Sequence, residues 1–275
     1  MAIITMSRGT YSGAIGLAEY MRENFGYKLI SREDIISKLG EYGMSDDRLN
    51  SARHRRLSVR QRKDLEWTHY LACFRAALAE EVKDGGGIIY LGDNGHAVLH
   101  DFPNALHIKV VTNMEYRIDN FMKRNDYVID RKEAKKLIRK IDEQRAKWVK
   151  AIYEGDVNDS AEFDLVVNLD PMSIADACEL IRSTAELPQF QTTVESKKKL
   201  EDTVFAADVR AKIATEIDII DDNIDVEVQD DVLSIKGTVH SIEEWDELRE
   251  LLRQLPEVED VESHLETPVE EPAHH

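Results

Sequence analysis

The sequence is poor in cysteine and contains no long run of hydrophobic residues. Its two cysteines, Cys73 and Cys178, cannot build a disulfide framework, which excludes a small disulfide-stapled secreted fold and predicts two buried free thiols. No apolar stretch approaches the roughly 20 residues that a membrane-spanning helix needs. Residues 1–7 carry a short apolar segment without a basic leader or a small-residue cleavage site, so we expect a cytoplasmic protein.

The C-terminal third of the chain is short of positive charge. Residues 188–275 hold 8 Lys and Arg against 24 Asp and Glu, whereas residues 1–187 hold 28 against 30. A strongly acidic surface repels nucleic acid and anionic lipid head groups, so we expect neither nucleic acid nor membrane as a partner. The length of 275 residues and the hydrophobic content of 42% predict two domains with ordinary buried cores.

Residues 1–187 alternate short apolar runs with longer segments of helical periodicity. This alternation predicts an α/β fold in which helices cover both faces of a parallel sheet. Helices are predicted over residues 65–82, from Asp130 onward and from Ser173 onward. The predicted strands are residues 2–6, 27–30, 88–91, 105–111 and 165–169.

After residue 187 the pattern changes to a polar stretch and then to shorter elements. Residues 188–202 contain Pro188 and a lysine triplet, and we interpret them as an interdomain linker. The apolar pattern that follows predicts the order helix, strand, strand, helix, strand, which is a small α+β (αββαβ) domain. We therefore predict one domain at residues 1–187 and a second at 203–267, with a disordered tail at 268–275 that has nothing to bury.

The first predicted strand runs into a loop rich in Gly, Ser and Thr before the first helix. Loop amides and a helix N-terminus together favour an anion, so this geometry is typical of a phosphate site. A full Walker A loop ends in Gly-Lys-Ser/Thr, but here those positions read Gly13-Ala14-Ile15-Gly16. By spacing alone, a phosphate-binding loop and a glycine-containing turn without a catalytic role fit equally well. The loop reads Ser7-Arg8-Gly9-Thr10-Tyr11-Ser12-Gly13.

The surroundings of this loop resemble a known family. Residues 3–36 are similar to the opening of cytidylate-kinase-like proteins, where a Ser-Arg, glycine-rich loop precedes a helix and an Arg-Glu pair follows the second strand. Here that pair is Arg32-Glu33, and the resemblance covers nearly all of residues 1–187. It continues through Gly87-Ile88-Ile89-Tyr90-Leu91-Gly92, Leu106-His107-Ile108-Lys109-Val110, Arg117-Ile118, Lys135-Lys136-Leu137-Ile138, Asp142-Glu143-Gln144-Arg145 and Asp164-Leu165-Val166-Val167-Asn168.

The resemblance implies a P-loop NTPase-like fold and a nucleoside monophosphate kinase activity, with ATP and Mg²⁺ as cosubstrate and a nucleotide such as CMP as acceptor. Clustered guanidinium groups suit phosphoryl transfer because they neutralise charge on the phosphate oxygens. The loop residues that would hold the donor phosphates are Arg8, Gly9, Thr10, Tyr11, Ser12 and Gly13. The residues that would surround the transferred group are Arg117, Arg124, Arg139 and Arg145, with Asp142 orienting the arginines. For the helix that carries the last of these, a solvated charged face is an equal interpretation.

The sequence also departs from the family pattern. The family often has Gly-Arg-Gly after the third strand, whereas this chain has Gly92-Asp93-Asn94-Gly95. Tyr11 and Ala14 stand where the family tends to have glycine, and Ile15 stands where it often has arginine. These departures support an alternative in which the domain is a catalytically inactive pseudokinase that acts as a nucleotide sensor or a protein-interaction scaffold.

The densest basic cluster lies between residues 53 and 63. Arg53, Arg55 and Arg56 stand where a monophosphate-binding segment would insert in such a fold, so they are candidates for binding the acceptor phosphate. An exposed helix and a docking patch for the acidic C-terminal module fit equally well. Two pairs with i, i+4 spacing, His69 with Cys73 and His96 with His100, show no third ligand, so we predict no metal site.

The second predicted domain resembles a BON domain. Residues 232–239 read Val-Leu-Ser-Ile-Lys-Gly-Thr-Val, and residues 258–261 read Val-Glu-Asp-Val. BON modules are similar to one another in binding and assembly roles, and no catalytic constellation is visible in this part of the sequence. The resemblance implies a module that regulates the first domain, forms a homo-oligomer or binds a protein partner.

Overall fold

The computed structural model describes residues 1–44, 65–92, 94–124, 129–153, 159–217, 224–229, 232–255 and 260–266. The chain divides into two compact units. The first comprises Met1–Asp34 and Asp84–Lys197, and the second comprises Ile35–Lys83 and Lys198–His275. The helices are α1 Ala14–Phe25, α2 Arg32–Lys38, α3 Leu65–Val82, α4 Gly95–Val98, α5 Met114–Arg124, α6 Arg131–Tyr153, α7 Ile174–Ala185, α8 Val194–Glu216 and α9 Ile242–Arg253.

The first unit contains a five-stranded sheet in the order β2-β3-β1-β4-β5. All of its strand pairs are parallel, which confirms the predicted α/β fold class. The central strand β1 pairs with β3 on one side and with β4 on the other, so Ile3 faces Ile88 and Ala105. The strands are β1 Ile3–Arg8, β2 Lys28–Ser31, β3 Ile88–Leu91, β4 Ala105–Val111 and β5 Leu165–Asn168.

The core of the first unit lies between this sheet and the helices α1 and α7. Leu17 and Met21 of α1 are buried with Ala177 and Ile181 of α7 against the central strands. The N-terminus of α7 is capped as the sequence predicts, because Ser173 Oγ accepts the Asp176 N–H at 3.1 Å. The central strand and α1 are therefore rigidly held at the point where they meet the loop between them.

A smaller hydrophobic cluster joins α5 to α6. Ile118 and Phe121 of α5 are buried with Ala134 and Ile138 of α6. The start of α6 is capped by Asp130, whose Oδ1 accepts the Glu133 N–H at 2.8 Å. This packing fixes the two helices that carry the predicted phosphate-binding arginines.

The C-terminal part of the second unit contains a three-stranded sheet in the order β6-β7-β8. Strand β6 (Asp225–Gln229) is antiparallel to β7 (Val232–Thr238), and β7 is parallel to β8 (Asp260–Glu266). Leu248 of α9 packs with Ile213 of α8 and Leu233 of β7 in one core. The predicted αββαβ order is confirmed.

Helix α8 begins earlier than the sequence predicts. Its first residue is Val194, so most of the polar stretch predicted as a linker is helical. Thr193 starts the helix because its Oγ1 accepts the Ser196 N–H at 3.0 Å. Just before it, Phe190 is buried in the core of the first unit. The domain boundaries at 187 and 203 stay a prediction.

Two further expectations concern single residues and membrane spans. Cys73 and Cys178 are both buried thiols outside any disulfide, as the sequence predicts. Burial, with a smaller effect of Glu179, raises the pKa of the Cys178 thiol to about 12, so this group is an unreactive core residue. Within the ranges given above, no helix combines the length and the apolar character that crossing a membrane requires.

Candidate phosphate-binding site

The loop that joins β1 to α1 is a tight turn at the carboxyl edge of the parallel sheet. Its Ser12 N–H donates to the Gly9 carbonyl at 3.2 Å. Gly13, the last loop residue, has a φ of 90° in the left-handed region. A Cβ at this position would lie 3.0 Å from the Tyr116 hydroxyl, so both the backbone angle and the available space require glycine there.

Tyr11 adopts a left-handed backbone without being glycine. Its φ is 61°, a conformation that costs a non-glycine residue about 1–2 kcal/mol. Helix α5 compensates, since Asn120 Nδ2 donates to the Tyr11 carbonyl at 3.1 Å and the Phe121 ring contacts the Tyr11 ring edge-on at 5.0 Å. Contacts with α5 therefore hold Tyr11 in this backbone conformation.

Two arginines and one aspartate from α5 and α6 bind the backbone of the loop. Arg117 Nε donates to the Thr10 carbonyl at 2.7 Å, and Arg145 Nη1 donates to the Arg8 carbonyl at 2.8 Å. Asp142 Oδ1 accepts the Thr10 N–H at 3.0 Å, and Asp142 Oδ2 accepts a hydrogen bond from Arg117 Nη2. The two arginine side chains are only 12% and 11% exposed, so their charges act in a partly desolvated site.

A cavity of about 330 Å³ opens on one side of the loop. It combines the loop backbone with the carboxyl end of β4 and the inner faces of α5 and α6. Four cationic side chains and two acidic ones line it, so its charge balance favours an anion. The lining residues that carry this argument are Arg8, Lys109, Arg117, Asp142, Glu143 and Arg145.

A second cavity, of about 380 Å³, opens on the other side of the loop and along the start of α1. Arg124 and Asn120 of α5 and Ile141 of α6 close it. Arg8 and Ser12 line both cavities, so the loop forms a shared wall between two spaces. This arrangement offers room for one group on each side of the loop backbone.

Two hydroxyl groups in the loop are buried without a hydrogen-bond partner among the described residues. Thr10 is 7% exposed and Ser12 is 2% exposed. Within the described part of the chain, Thr10 Oγ1 and Ser12 Oγ have no hydrogen-bond partner. A buried hydroxyl without a partner is costly, and a ligand oxygen in the adjacent cavity would satisfy it.

Comparison with protein-family models matches two parts of the chain to known families. Residues 3–171 match the model of the cytidylate kinase-like family. The chain belongs to the cytidylate kinase-like family. Residues 201–268 match the model of the BON domain, which follows the kinase-like part along the chain. The two resemblances inferred from the sequence are therefore confirmed. A comparison with the curated proteins gives no match.

Solved structures include several that are similar to this chain. An uncharacterized protein from Eubacterium ventriosum is similar with a TM-score of 0.52 and 17% identity, covering 67% of this chain and 98% of that one. A shikimate kinase from Acinetobacter baumannii has a TM-score of 0.38 and 7% identity over 67% and 92%. A thymidylate kinase from Candida albicans has a TM-score of 0.37 and 15% identity over 67% and 91%.

The structure brings most of the predicted site residues together. The predicted residues that line the first cavity are Arg8, Gly9, Ser12, Arg117, Asp142 and Arg145. Those that line the second are Arg8, Thr10, Tyr11, Ser12, Gly13 and Arg124. Arg139 is exposed on α6 and lines neither cavity. The predicted acceptor-binding residues Arg53, Arg55 and Arg56 lie outside the described residues.

Lys109 was missed as a site residue by the sequence reasoning. It lies on β4, next to β1 in the sheet, and its side chain lines the first cavity and approaches the Phe163 ring with Nζ 5.4 Å from the ring centroid. The available signal was its place near the carboxyl end of a strand, the edge where open α/β sheets bind ligands. Thr112, which follows the same strand, lines the same cavity.

The segment after β3 differs from the family pattern and packs tightly. Asn94 has a φ of 60° and is 1% exposed, while Asp93 lies outside the described residues. A Cβ at Gly95 would lie 2.7 Å from Tyr90 Cδ1 and 2.8 Å from Thr5 Cβ, and both of these residues are fully buried. Glycine at this position is therefore required by close packing against the central strands.

We expect Gly95→Ala to destabilise the protein by about 1–3 kcal/mol, because the added methyl group must displace buried atoms of two strands. Thermal or urea unfolding followed by circular dichroism measures the change. Gly40→Ala is the matched control, since a Cβ there meets no atom within 4 Å. Equal stability of Gly95→Ala and the wild type would show that the segment after β3 is looser than described.

One buried histidine, His96, and one half-buried histidine, His107, lie near the first cavity. His96 Nδ1 lies 3.4 Å from Ser7 Oγ, and its ring contacts the Phe163 ring in a tilted geometry, with 4.5 Å between centroids and 47° between planes. His107 Nδ1 lies 2.8 Å from Thr5 Oγ1. Burial, followed by the charges of His107 and Lys109, lowers the pKa of His96 to about 4, and burial also lowers the pKa of His107. His96 is therefore neutral near pH 7 and adds no charge to the cavity.

Proposed function

We propose that the kinase-like domain is a nucleotide-binding phosphotransferase of the nucleoside monophosphate kinase type, acting in the cytoplasm. The donor is ATP with Mg²⁺, and the acceptor is a pyrimidine nucleotide such as CMP. The observation that carries this proposal is the cavity at the β1–α1 loop, where Arg8, Lys109, Arg117 and Arg145 converge. Membership of the cytidylate kinase-like family supports the same assignment.

The chemistry of phosphoryl transfer suits this arrangement. The barrier falls mainly through positioning of the reacting groups and neutralisation of charge on the phosphate oxygens. Arg117 and Arg145 are ordered by bonds to loop carbonyls, so their guanidinium groups are already oriented when a ligand arrives. Ser12 and Thr10 add hydroxyl groups at the same wall.

Magnesium fits this proposal as part of the substrate. Among the residues described, no group of three or more His, Cys, Asp and Glu side chains could hold a metal ion. Mg²⁺ keeps several waters and binds through one or two carboxylates together with substrate phosphates. Asp142 and Glu143, which line the first cavity, are the carboxylates that would contact a magnesium ion brought in by the triphosphate.

A non-catalytic nucleotide sensor or scaffold is the second candidate function, and Ala14 favours it. A Walker A lysine would stand near this position, but Ala14 is 1% exposed in the hydrophobic core, where a lysine has no room. Turnover then depends on the arginines and Lys109 alone. The sensor keeps nucleotide binding and lacks phosphoryl transfer.

The experiment that separates the two candidates is a coupled assay of ADP release from MgATP with a panel of nucleoside monophosphates. Turnover that depends on one monophosphate would establish a kinase and name the acceptor. Binding of nucleotide without turnover on any member of the panel would favour the sensor. A turnover that needs no monophosphate would point to an ATPase and contradict the monophosphate-kinase assignment.

We further propose that the BON module regulates or assembles the kinase-like domain. A chain ending at Leu187 is expected to differ from the full chain in nucleotide affinity or in oligomeric state, measured by calorimetry and light scattering. Circular dichroism must accompany the comparison, because the deletion removes residues 188–197 from the first unit and takes Lys198–His275 from the unit that also contains Ile35–Lys83. If affinity, turnover and assembly are all unchanged, the module neither regulates nor assembles the first domain.

A further inference from the structure

One carboxylate, that of Asp142, is hydrogen-bonded or ion-paired to several of the groups that could bind an anion in the candidate site. Asp142 accepts the backbone N–H of Thr10 through Oδ1 and a guanidinium N–H of Arg117 through Oδ2. Arg145 Nη1 lies 3.7 Å from Asp142 Oδ1. In phosphate sites, the phosphate oxygens accept hydrogen bonds from groups of this kind, a loop amide and guanidinium groups.

The position of Asp142 is set by the fold rather than by the loop itself. Helix α6 is anchored through Ala134 and Ile138 to α5, and Asp142 follows one turn later on the same helix. Its carboxylate is 30% exposed, so it reaches the loop from the edge of the cavity and not from the core. Solvent at that edge can therefore hydrate the carboxylate once it leaves the Thr10 amide.

We propose that Asp142 is an internal anion that occupies the phosphate site of the ligand-free protein and is displaced from the Thr10 amide when a phosphate group binds. This inference rests on the proposed function of the loop as a phosphate site. A single N–H donates one strong hydrogen bond, and a carboxylate and a phosphate at the same amide repel each other. Phosphate binding and the Asp142–Thr10 contact are therefore mutually exclusive, and Asp142 lowers the affinity of the site for a phosphate ligand that brings no magnesium ion.

The adjacent residue provides a matched control. Glu143 lines the same cavity and carries the same formal charge, whereas the Thr10 amide is bonded to Asp142. Removing the charge of Glu143 changes the overall field of the cavity, and removing the charge of Asp142 changes the field and also weakens its hold on the amide. The difference between the two variants measures the direct competition.

The test is calorimetric titration of inorganic pyrophosphate into the full chain as wild type, Asp142→Asn and Glu143→Gln. Hydrogen bonds to charged groups are strong enough that we expect Asp142→Asn to bind pyrophosphate at least about tenfold more tightly than the wild type. Glu143→Gln should gain no more than about threefold, the effect of a partly screened charge. In NMR spectra recorded during a parallel titration, the Thr10 amide resonance of the wild-type chain should shift with the same midpoint as the calorimetric signal. That agreement locates the ligand at the loop.

The outcomes separate this inference from the function on which it rests. Equal or weaker binding by Asp142→Asn than by the wild type, or an equal gain in Glu143→Gln, overturns the inference and leaves a phosphate site. The absence of pyrophosphate binding in all three proteins overturns the proposed function and the inference with it. Asp142→Ser, which also lacks the charge, replaces Asp142→Asn if the latter loses the circular dichroism of the wild type.

Discussion

Replacing Arg145 with alanine should lower phosphoryl-transfer turnover by at least about a hundredfold while the fold stays intact, as expected when one preorganised cationic group is removed from a transferring phosphate. Arg145 is 11% exposed, bonded to the Arg8 carbonyl and directed at the first cavity. Its loss removes a positive charge near the phosphate oxygens on which negative charge develops. It also removes the hydrogen bond between α6 and the Arg8 carbonyl of the loop. The coupled assay measures kcat and KM, and the larger effect is expected in kcat because the group acts on the transition state.

Arg139→Ala is the matched control for this variant. Arg139 lies on the same helix but is exposed and lines neither cavity, so its removal should leave turnover within about twofold of the wild type. A loss in Arg139→Ala as large as that in Arg145→Ala would support the sequence-based prediction that both residues act in the site. Unchanged turnover in Arg145→Ala would contradict the site described above.

Stability should fall as the pH drops from about 6.5 to about 4, and His96 should account for about 3 kcal/mol of that loss. Burial lowers the folded-state pKa of His96 to about 4, below the ordinary value of 6.5 that the unfolded chain has. Between these two values the unfolded chain binds a proton that the folded protein excludes, so acid favours unfolding. Above pH 6.5 His96 is neutral in both the folded and the unfolded state, so its full contribution to the free energy of unfolding is present. Urea unfolding at a series of pH values measures the slope.

The slope is assigned to His96 by comparing variants. His96→Gln cannot take up the proton, so its stability should depend less on pH in this window than that of the wild type. His100→Gln is the control, because the His100 ring is exposed and its replacement should alter the slope much less. His107, whose pKa is also lowered, contributes a further part that persists in both variants. An identical slope in wild type and His96→Gln would contradict the burial of His96.

The fold was largely predictable because its elements depend on local patterns. Continuous apolar runs identified the buried strands of the parallel sheet, and the caps at Asp130 and Ser173 identified helix starts that the structure confirms. The predicted start of α8 was wrong because the sequence analysis interpreted a run of polar residues as a linker. Its lysines are exposed on a helix whose Leu200 is buried, a feature that composition does not reveal.

The candidate site was predictable only as a set of residue types. Arg139, Asp142 and Arg145 are spaced by three, and each step turns a helix by about 60°, so the sequence cannot say which of them faces the loop. Packing of α6 on α5 decides that Asp142 and Arg145 do. Lys109 and Asn120 depend on the neighbours that β4 and α5 have in space, and one sequence does not contain that information.

The central claim is that the β1–α1 loop and its arginines form a nucleotide phosphate site. Thermal unfolding of the full chain with and without MgATP tests it most directly, with Arg117→Ala as the comparison. A ligand at 100 times its Kd stabilises the folded state by about 2.7 kcal/mol, so the account predicts a rise of several degrees in the Tm of the wild type and a much smaller one in Arg117→Ala. No rise in the wild type, or an equal rise in both proteins, would contradict it.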